Sequence, residues 1–301
     1  MSTPQDDLFT IVGSGHRPKP TVTLVPAWRR AFNKIPKISS FLLLLIILGC
    51  IFAPLLANHN PTEFYSSNLN QPPDGEFYFG TDSMGRDIYS VLWYGGRISI
   101  IIGLLAAAVS TIIGIVYGCI SGLAPGKFDA FFMRLAEILC SIPCLLLQLL
   151  LLGMVNGTGI ISLSIIIGVT NWMNLSRFVR TEVRQIRNSD YVLSATMMGA
   201  RFFHVLWYHL LPNFLSPILF VIVSSIGISM TMEATLSFLG LGLPTEIVSL
   251  GTMLSLASRA LLTNSWWVIL VPGVFLVVTL VCITNIGHRL RREINRGSSY
   301  L

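Results

Sequence analysis

Residues Asp190–Asn213 read DYVLSATMMGARFFHVLWYHLLPN, a Gly-interrupted insert between two long apolar runs. The insert is too polar to cross a bilayer and too apolar to be an ordinary linker. Ser189 or Asp190 can cap a short helix, and Gly199 can end it in a left-handed turn. Arg201 to Tyr208 can form a second short piece before Pro212 opens the next run. Two short helices at an angle would present a compact knob suited to docking. An amphipathic surface helix held at lipid headgroups is the other reading.

The flanking sequence sets the class. The chain has 301 residues, of which 53% are hydrophobic and only 11% charged. Ordinary soluble domains carry roughly 25% charged residues. An all-α polytopic membrane protein is the expectation. The cysteines Cys50, Cys119, Cys140, Cys144 and Cys282 all fall in apolar runs and read as small packing residues. Cys140 and Cys144 would share a helix face, a spacing that can suit a soft metal, but only Glu137 lies near as a further ligand.

Counting apolar runs outward from the insert predicts six transmembrane helices. A cytoplasmic tail, 1–37, is polar and basic, with an apolar run that starts too late and is too long for a cleavable signal. The first span runs from about Ile38 to Ala57, and residues 58 to 97 form a Pro- and Gly-marked extracytoplasmic loop. Spans follow at about Ile98–Leu123, Phe131–Val155 (interrupted by Pro143), Gly159–Leu175 with its helix continuing to Arg187, Phe214–Met232 and Trp266–Ile286. Residues 233 to 265 read as a mixed loop. The transmembrane domain is set at 98–290 and a C-terminal cytoplasmic tail at 291–301. With the N-terminus inside, 17 of the 20 Lys and Arg fall on inner segments and only Arg86, Arg97 and Arg259 on outer ones. The positive-inside rule then places both termini and the insert in the cytoplasm.

Three motifs carry a family resemblance. Ala195, Gly199 and His209-Leu210-Leu211-Pro212-Asn213 resemble the Glu-Ala-Ala…Gly…Leu-Pro loop of bacterial ABC importer permeases, whose coupling helix sits in a cleft of the ATPase subunit. Leu193 and Ser194 stand where that family has Glu and its first Ala, so a contact made by that Glu does not carry over. Gly80-Thr81-Asp82-Ser83-Met84-Gly85-Arg86-Asp87, followed by Ser90, Gly95, Arg97 and Ser99, is similar to a segment of the second, C-type permease of oligopeptide, dipeptide and nickel importers. Glu233 to Pro244, EATLSFLGLGLP, looks like a further stretch of the same family. Gly251-Thr252-Met253-Leu254, Pro272-Gly273 and Asn285-x-Gly287 also fit, with His288 where the family has Asp. The resemblance covers about residues 35 to 295.

This resemblance implies a type I ABC importer permease fold with a cytoplasmic coupling helix, in a bacterial inner membrane. It implies a sister permease, two ATPase subunits that bind the ATP and Mg, and an extracytoplasmic substrate-binding protein. Membrane lipids surround the chain, and no nucleic acid is expected. Peptides are the favoured cargo, with nickel, metal–metallophore complexes or glutathione as alternatives. The docking residues implied are Ala195, Met198, Gly199, Ala200, Arg201, Phe202, Phe203, His204, Trp207 and Pro212. The outer gate or its framework would comprise Gly80, Asp82, Gly85, Arg86, Asp87, Glu233, Gly240 and Gly242.

Physical readings stand beside these. Gly80 and Gly85 allow tight turns, while Asp82, Arg86 and Asp87 can pair locally and fix the start of the second span, a structural role in preference to substrate contact. Apolar chain broken by Gly240, Gly242 and Pro244 can fold back along the outer face and close a pathway. Glu233, at the membrane edge, is a functional candidate by position, and a helix-end carboxylate that pairs with Arg259 or faces water is the expected reading. Glu137 should pair with Arg134. Arg177, Arg180, Arg184 and Arg187 line one helix face, where an acidic ATPase surface and anionic lipid fit equally.

Catalytic and metal patterns are lacking. Gly122 to Lys127 superficially resembles a phosphate loop, but it has three residues between its glycines and Phe128 where Ser or Thr is needed. His16, His59, His204, His209 and His288 form no constellation, and no zinc spacing, nucleophile elbow or carboxylate pair stands out. A secondary transporter would show repeated halves, and a membrane enzyme an ionisable cluster. The expectation is a transport subunit without its own ATPase site.

Overall fold

The structure, a computed structural model, describes residues 36–155, 159–187, 197–199, 211–244 and 246–298. Among them the chain is helical, with one isolated β-bridge between Thr81 and Asp87. Helix α1 (Lys37–Ile51) is followed at once by α2 (Ala53–Leu56), whose Pro54 lies in the first turn where a missing N–H is tolerated. After the 58–87 loop comes α3 (Ile88–Leu123), 36 residues long. Ala124-Pro125 ends it, and α4 (Gly126–Ser141) and α5 (Cys144–Met154) follow, bent by 84° across Ile142-Pro143. Next are α6 (Ile160–Arg187), α7 (Leu211–Phe238), the short α8 (Leu250–Ser255) and α9 (Ala257–Leu262), and α10 (Trp267–Ser298).

Several boundaries differ from those expected. Helix α3 begins at Ile88, ten residues before the expected Ile98, because Asp87 caps it and Gly95 and Gly96 bring its half-polar first turns against neighbouring helices. Helix α7 passes through Glu233 to Phe238, and the 233–265 segment contains α8 and α9 instead of open loop. Among the described residues three helices are long and apolar enough to cross a membrane: α3, α7 from Ile218 and α10 to Arg291. The bent pair α4–α5 would make a fourth, and α1 is shorter at 15 residues.

Close approach of backbones organises the bundle. Helices α3 and α6 run parallel as its most extensive pair. Gly114, Gly118 and Gly122 recur every four residues and face Leu175, Ser176, Val179 and Val183. A Cβ on Gly118 would lie 2.6 Å from the Ser176 carbonyl oxygen, so the two backbones touch where side chains normally intervene. Helix α7 runs antiparallel to α3, with Gly103 against Met230. Cys119, Leu175, Val179, Val183 and Ile218 form one buried cluster, which places the end of α3, the end of α6 and the start of α7 together. Asn285 donates to Ser39 Oγ at 3.3 Å, bringing the start of α1 beside α10. At the opposite end Ile88, Val91, Leu92, Leu250, Met253, Trp267 and Val268 pack together.

Candidate functional site

Three polar constructions punctuate this apolar frame. The first is the segment Gly80–Asp87. Asp82 Oδ2 accepts from Arg86 Nε at 2.8 Å, while Oδ1 accepts the backbone N–H groups of Met84 (2.8 Å) and Arg86 (3.0 Å). Both side chains are almost fully enclosed. Asp87 caps α3 by accepting from the N–H of Ser90 at 3.0 Å and from Ser90 Oγ at 2.6 Å. Gly80 (φ +74°) and Gly85 (φ +76°) take left-handed turns. Trp267 donates its indole N–H to the Thr81 carbonyl at 3.1 Å and ties the segment to α10. Within the same loop Asp74 accepts backbone N–H groups of Phe77 and Glu76, which hold its carboxyl below the usual range. The Asp82, Arg86 and Asp87 side chains are thus engaged in holding the loop and starting α3.

The second construction is buried. Glu233 lies inside α7, wholly enclosed, and neither pairs with Arg259 nor faces water, which corrects the helix-end expectation. Its carboxylate accepts three hydroxyls: Ser99 of α3 at 2.8 Å, Ser237 one turn ahead at 2.9 Å, and Ser249 at the start of α8 at 2.7 Å. Ser99 Oγ also accepts the Leu250 N–H at 3.1 Å, and Ser249 forms a capping box with Thr252. The Glu233 side chain is therefore shared by three helices.

The chain between these helices turns tightly. Leu241 N–H returns to the Leu236 carbonyl and Gly240 N–H to that of Ser237, both at 3.0 Å, with Gly240 at φ +75°. Gly242 packs so closely that a Cβ would lie 2.3 Å from Ser237 Oγ. Leu243 then enters the core beside Ile102, Leu163 and Leu236, and α8 lies back against α7.

The third construction stands at the insert end. Asp129, in the first turn of α4, accepts from Arg180 Nε and Nη2, both at 2.5 Å. Arg184 Nη1 approaches at 3.2 Å, and Ser121 Oγ donates at 2.6 Å. Arg187 donates to the Leu123 carbonyl at 3.1 Å. Three of the four arginines on this face thus make contacts within the chain, while Arg177, Arg184 and Arg187 remain exposed. Asp129 was missed because its main partner lies 51 residues away. The available signal was a lone carboxylate in a basic segment, one tight turn after a span.

Of the docking residues, Ala195, Ala200, Arg201, Phe202, Phe203, His204 and Trp207 lie outside the described residues. Met198 is exposed, and Gly199 adopts the expected left-handed conformation at φ +86°. Pro212 is the second residue of α7, which begins at Leu211, ahead of the expected Phe214. Cys140 and Cys144 sit on different helices, because the break at Ile142-Pro143 removes the shared face. Cys140 Sγ lies 3.4 Å from Met173 Sδ, and Cys144 Sγ 3.5 Å from Asn171 Oδ1. No group of three His, Cys, Asp or Glu among the described residues could hold a metal ion.

Sequence relationships agree with this architecture. Residues 114–296 match the family model of the binding-protein-dependent transport system inner membrane component. Residues 26–73 match that of the N-terminal TM domain of oligopeptide transport permease C. The chain is 37% identical over 259 residues to the oligopeptide transport system permease protein OppC of Bacillus subtilis (strain 168), covering 86% of this chain and 84% of that one. It is 34% identical over 266 residues to the dipeptide transport system permease protein DppC of the same organism, covering 88% and 83%. It is 31% identical over 271 residues to the di/tripeptide transport system permease protein DppC of Pseudomonas aeruginosa (strain UCBPP-PA14), covering 88% and 89%. The chain belongs to the family of binding-protein-dependent transport system inner membrane components.

Proposed function

We propose that this chain is a permease subunit of an ATP-driven importer of peptides in a bacterial inner membrane. It pairs with a sister permease, two ATPase subunits and an extracytoplasmic binding protein. Its six spans are α1, α3, the broken α4–α5, α6, α7 and α10, with both termini and the insert in the cytoplasm. The ATP and Mg belong to the ATPase subunits, and this chain supplies half of the path.

The observation that carries this reading is the geometry around the insert. Helix α6 ends at Arg187 and α7 begins at Leu211, with both helix ends beside the buried cluster of Cys119, Val183 and Ile218, inside the segment matched to the family. Asp129 ties α6 to α4 just before the departure point. A displacement of the insert would therefore be passed to α3, α4, α6 and α7 together as a rigid-body movement. ATP-driven closure of the ATPase pair supplies the push, and the path alternates between outward- and inward-open states. At the far end, the Glu233 node makes α3, α7 and α8 move as one.

Purification of the tagged chain from its native membrane in mild detergent tests the reading. A second polytopic permease and ATPase subunits should co-purify with peptide-dependent ATP hydrolysis. Gly199→Pro or Arg201→Glu should uncouple that hydrolysis from uptake at normal expression. A homo-oligomer free of ATPase would overturn the proposal.

A further inference from the structure

Helix α4 crosses α6 at the insert end of the bundle. Asp129 meets Arg180 and Arg184, Ala136 packs with Trp172 and Met173, and Cys140 reaches Met173. From Asp129 to Cys140 the chain advances about 16 Å along α4, while its contact moves from Arg180 to Met173, about 10 Å along α6. The helix therefore slants across its neighbour. The expected fourth span ends near Leu175, so Arg180 stands about 7.5 Å beyond it. Headgroup regions add about 5 to 7.5 Å on each side of the hydrocarbon layer. The first turns of α4 thus lie at headgroup level.

At this level the surface of α4 is amphipathic. Phe128 and Phe131 are 63% and 64% exposed, and Leu135 and Ile138 continue the same face. Lys127 is exposed at its edge, within about 40° of Phe131 at 100° per residue. A helix with Phe and Leu on one side and a cation at the border suits the boundary between headgroups and acyl chains.

Charge beside this face is unbalanced. Across Gly126–Ser141 and residues 177–187, basic residues outnumber acidic ones six to three. Arg134 pairs with Glu137, and Asp129 is taken by Nε and Nη2 of Arg180 together with Ser121 Oγ. Glu182 lies about 160° around α6 from both Arg180 and Arg184. Arg184 approaches Asp129 with one nitrogen at 3.2 Å and keeps half of its side chain exposed. Lys127 and Arg177 are exposed, and neither side chain has a partner among the described residues. Unpaired cations and exposed phenylalanines therefore share one depth. An acidic protein surface would satisfy the cations and leave the phenylalanines in water, whereas an anionic phospholipid satisfies both at once.

We propose that α4 and the arginine face of α6 seat anionic phospholipids of the inner leaflet. Lys127, Arg177 and Arg184 take the phosphates, and acyl chains lie along Phe128, Phe131 and Leu135. Phosphate suits these groups because a guanidinium donates in a planar fork and an ammonium supplies a compact charge. Each cation close to an anionic leaflet contributes about 1 kcal/mol, which is about a five-fold preference. The seat rests on the membrane topology proposed above and is independent of the cargo.

The test uses the full chain in its native complex, reconstituted in nanodiscs holding equal amounts of dioleoyl phosphatidylglycerol and dioleoyl phosphatidylcholine. Lipids retained after brief detergent extraction are counted by native mass spectrometry. Phosphatidylglycerol should be retained at least five-fold over phosphatidylcholine, and Lys127→Gln with Arg177→Gln should cut that excess at least three-fold. Both substituted side chains are exposed and unpartnered, so the fold is kept. Arg259→Gln, an exposed cation on the expected outer side, should leave the excess unchanged. Equal retention of the two lipids would overturn the proposal, as would an excess that survives the double substitution. Loss of ATPase subunits from the double variant, with its lipid excess intact, would assign the face to a protein partner and overturn it equally. Labelling of Lys127→Cys, in a Cys140→Ser background, by a membrane-impermeant maleimide from the outer side of right-side-out vesicles would overturn the inner-leaflet placement and the topology with it.

Discussion

Ser249 donates a 2.7 Å hydrogen bond to Glu233, and the same hydroxyl accepts the Thr252 N–H that opens α8. The cap of the short returning helix is thereby fastened to the buried carboxylate of a long one. With Ser99 of α3 on the other carboxylate oxygen, α8 cannot leave α7 without exposing an ungratified acceptor and two donors. Alanine at Glu233 would leave three enclosed hydroxyls without their acceptor, a loss of about 3 kcal/mol. Thermal unfolding of the detergent-purified chain should show Glu233→Ala strongly destabilised and Glu233→Gln, which keeps the shape and one acceptor, less so. An unaltered midpoint for the alanine variant would remove the node from the account of the fold.

At the opposite end, the fork of Arg180 onto Asp129 predicts a split between stability and coupling. Asp129 is buried, but Arg180 is about a quarter exposed, so breaking the pair should cost less than a fully buried one, about 2 kcal/mol. Asp129→Asn should preserve assembly while ATP hydrolysis becomes less responsive to peptide, because α6 no longer carries α4 with it. Arg180→Lys should behave similarly, since an ammonium cannot reproduce the bidentate contact. Hydrolysis and uptake assayed side by side decide this, and full coupling in both variants would exclude Asp129 from the transmission route.

The apolar runs were legible because length and charge alone distinguish them, and Gly199 was legible as a left-handed turn; Gly240 was legible as a break in an apolar run, but its left-handed conformation was not. The start of α3 was not. Its first turns hold Ser90, Tyr94 and Arg97, which resemble loop until the Asp87 cap and the close contacts of Gly95 and Gly96 are known. Glu233 was visible as an unusual acid, yet its environment depends on Ser99, which lies 134 residues away. Asp129 poses the same difficulty. Hydrophobic pattern is local and survives in sequence, whereas a polar node is defined by residues that only the fold assembles. The glycine ladder at Gly114, Gly118 and Gly122 has a visible four-residue spacing, but the helix it packs against lies more than 50 residues on, so its role emerges only in the fold.

That ladder makes a controlled prediction. A Cβ on Gly118 would meet the Ser176 carbonyl at 2.6 Å, and backbone cannot move aside as a flexible side chain can. Gly118→Ala should therefore cost about 2 kcal/mol by forcing α3 from α6. Gly126, at the start of α4, has nothing within 4 Å of its Cβ position, so Gly126→Ala should be neutral or mildly stabilising. Both substitutions add one methyl group to a helix, and a thermal melt of each variant separates close packing from propensity. Equal midpoints would show that the two helices do not touch as described.

Gly85 and Gly240 permit a sharper comparison, because both adopt the left-handed conformation and only one is crowded. Gly240 (φ +75°) has open space around its Cβ position, so alanine there meets backbone strain alone, about 1 kcal/mol. Gly85 (φ +76°) bears the same strain, but its Cβ would stand 2.2 Å from the Tyr65 carbonyl oxygen. That carbonyl belongs to the strand of loop whose Tyr65 N–H donates to the Gly85 carbonyl at 3.1 Å, so relieving the clash breaks a hydrogen bond as well. The displaced segment includes Asp82 and Arg86, whose enclosed ion pair would be opened in turn. Gly85→Ala should therefore destabilise the chain by several kcal/mol and expose the 58–87 loop to protease, while Gly240→Ala remains folded and resistant. Asparagine, which tolerates the left-handed region, should rescue Gly240 and not Gly85. Limited proteolysis of the four variants in detergent reads both effects, and cleavage of Gly240→Ala at the rate of Gly85→Ala would show that strain, not crowding, governs the two turns.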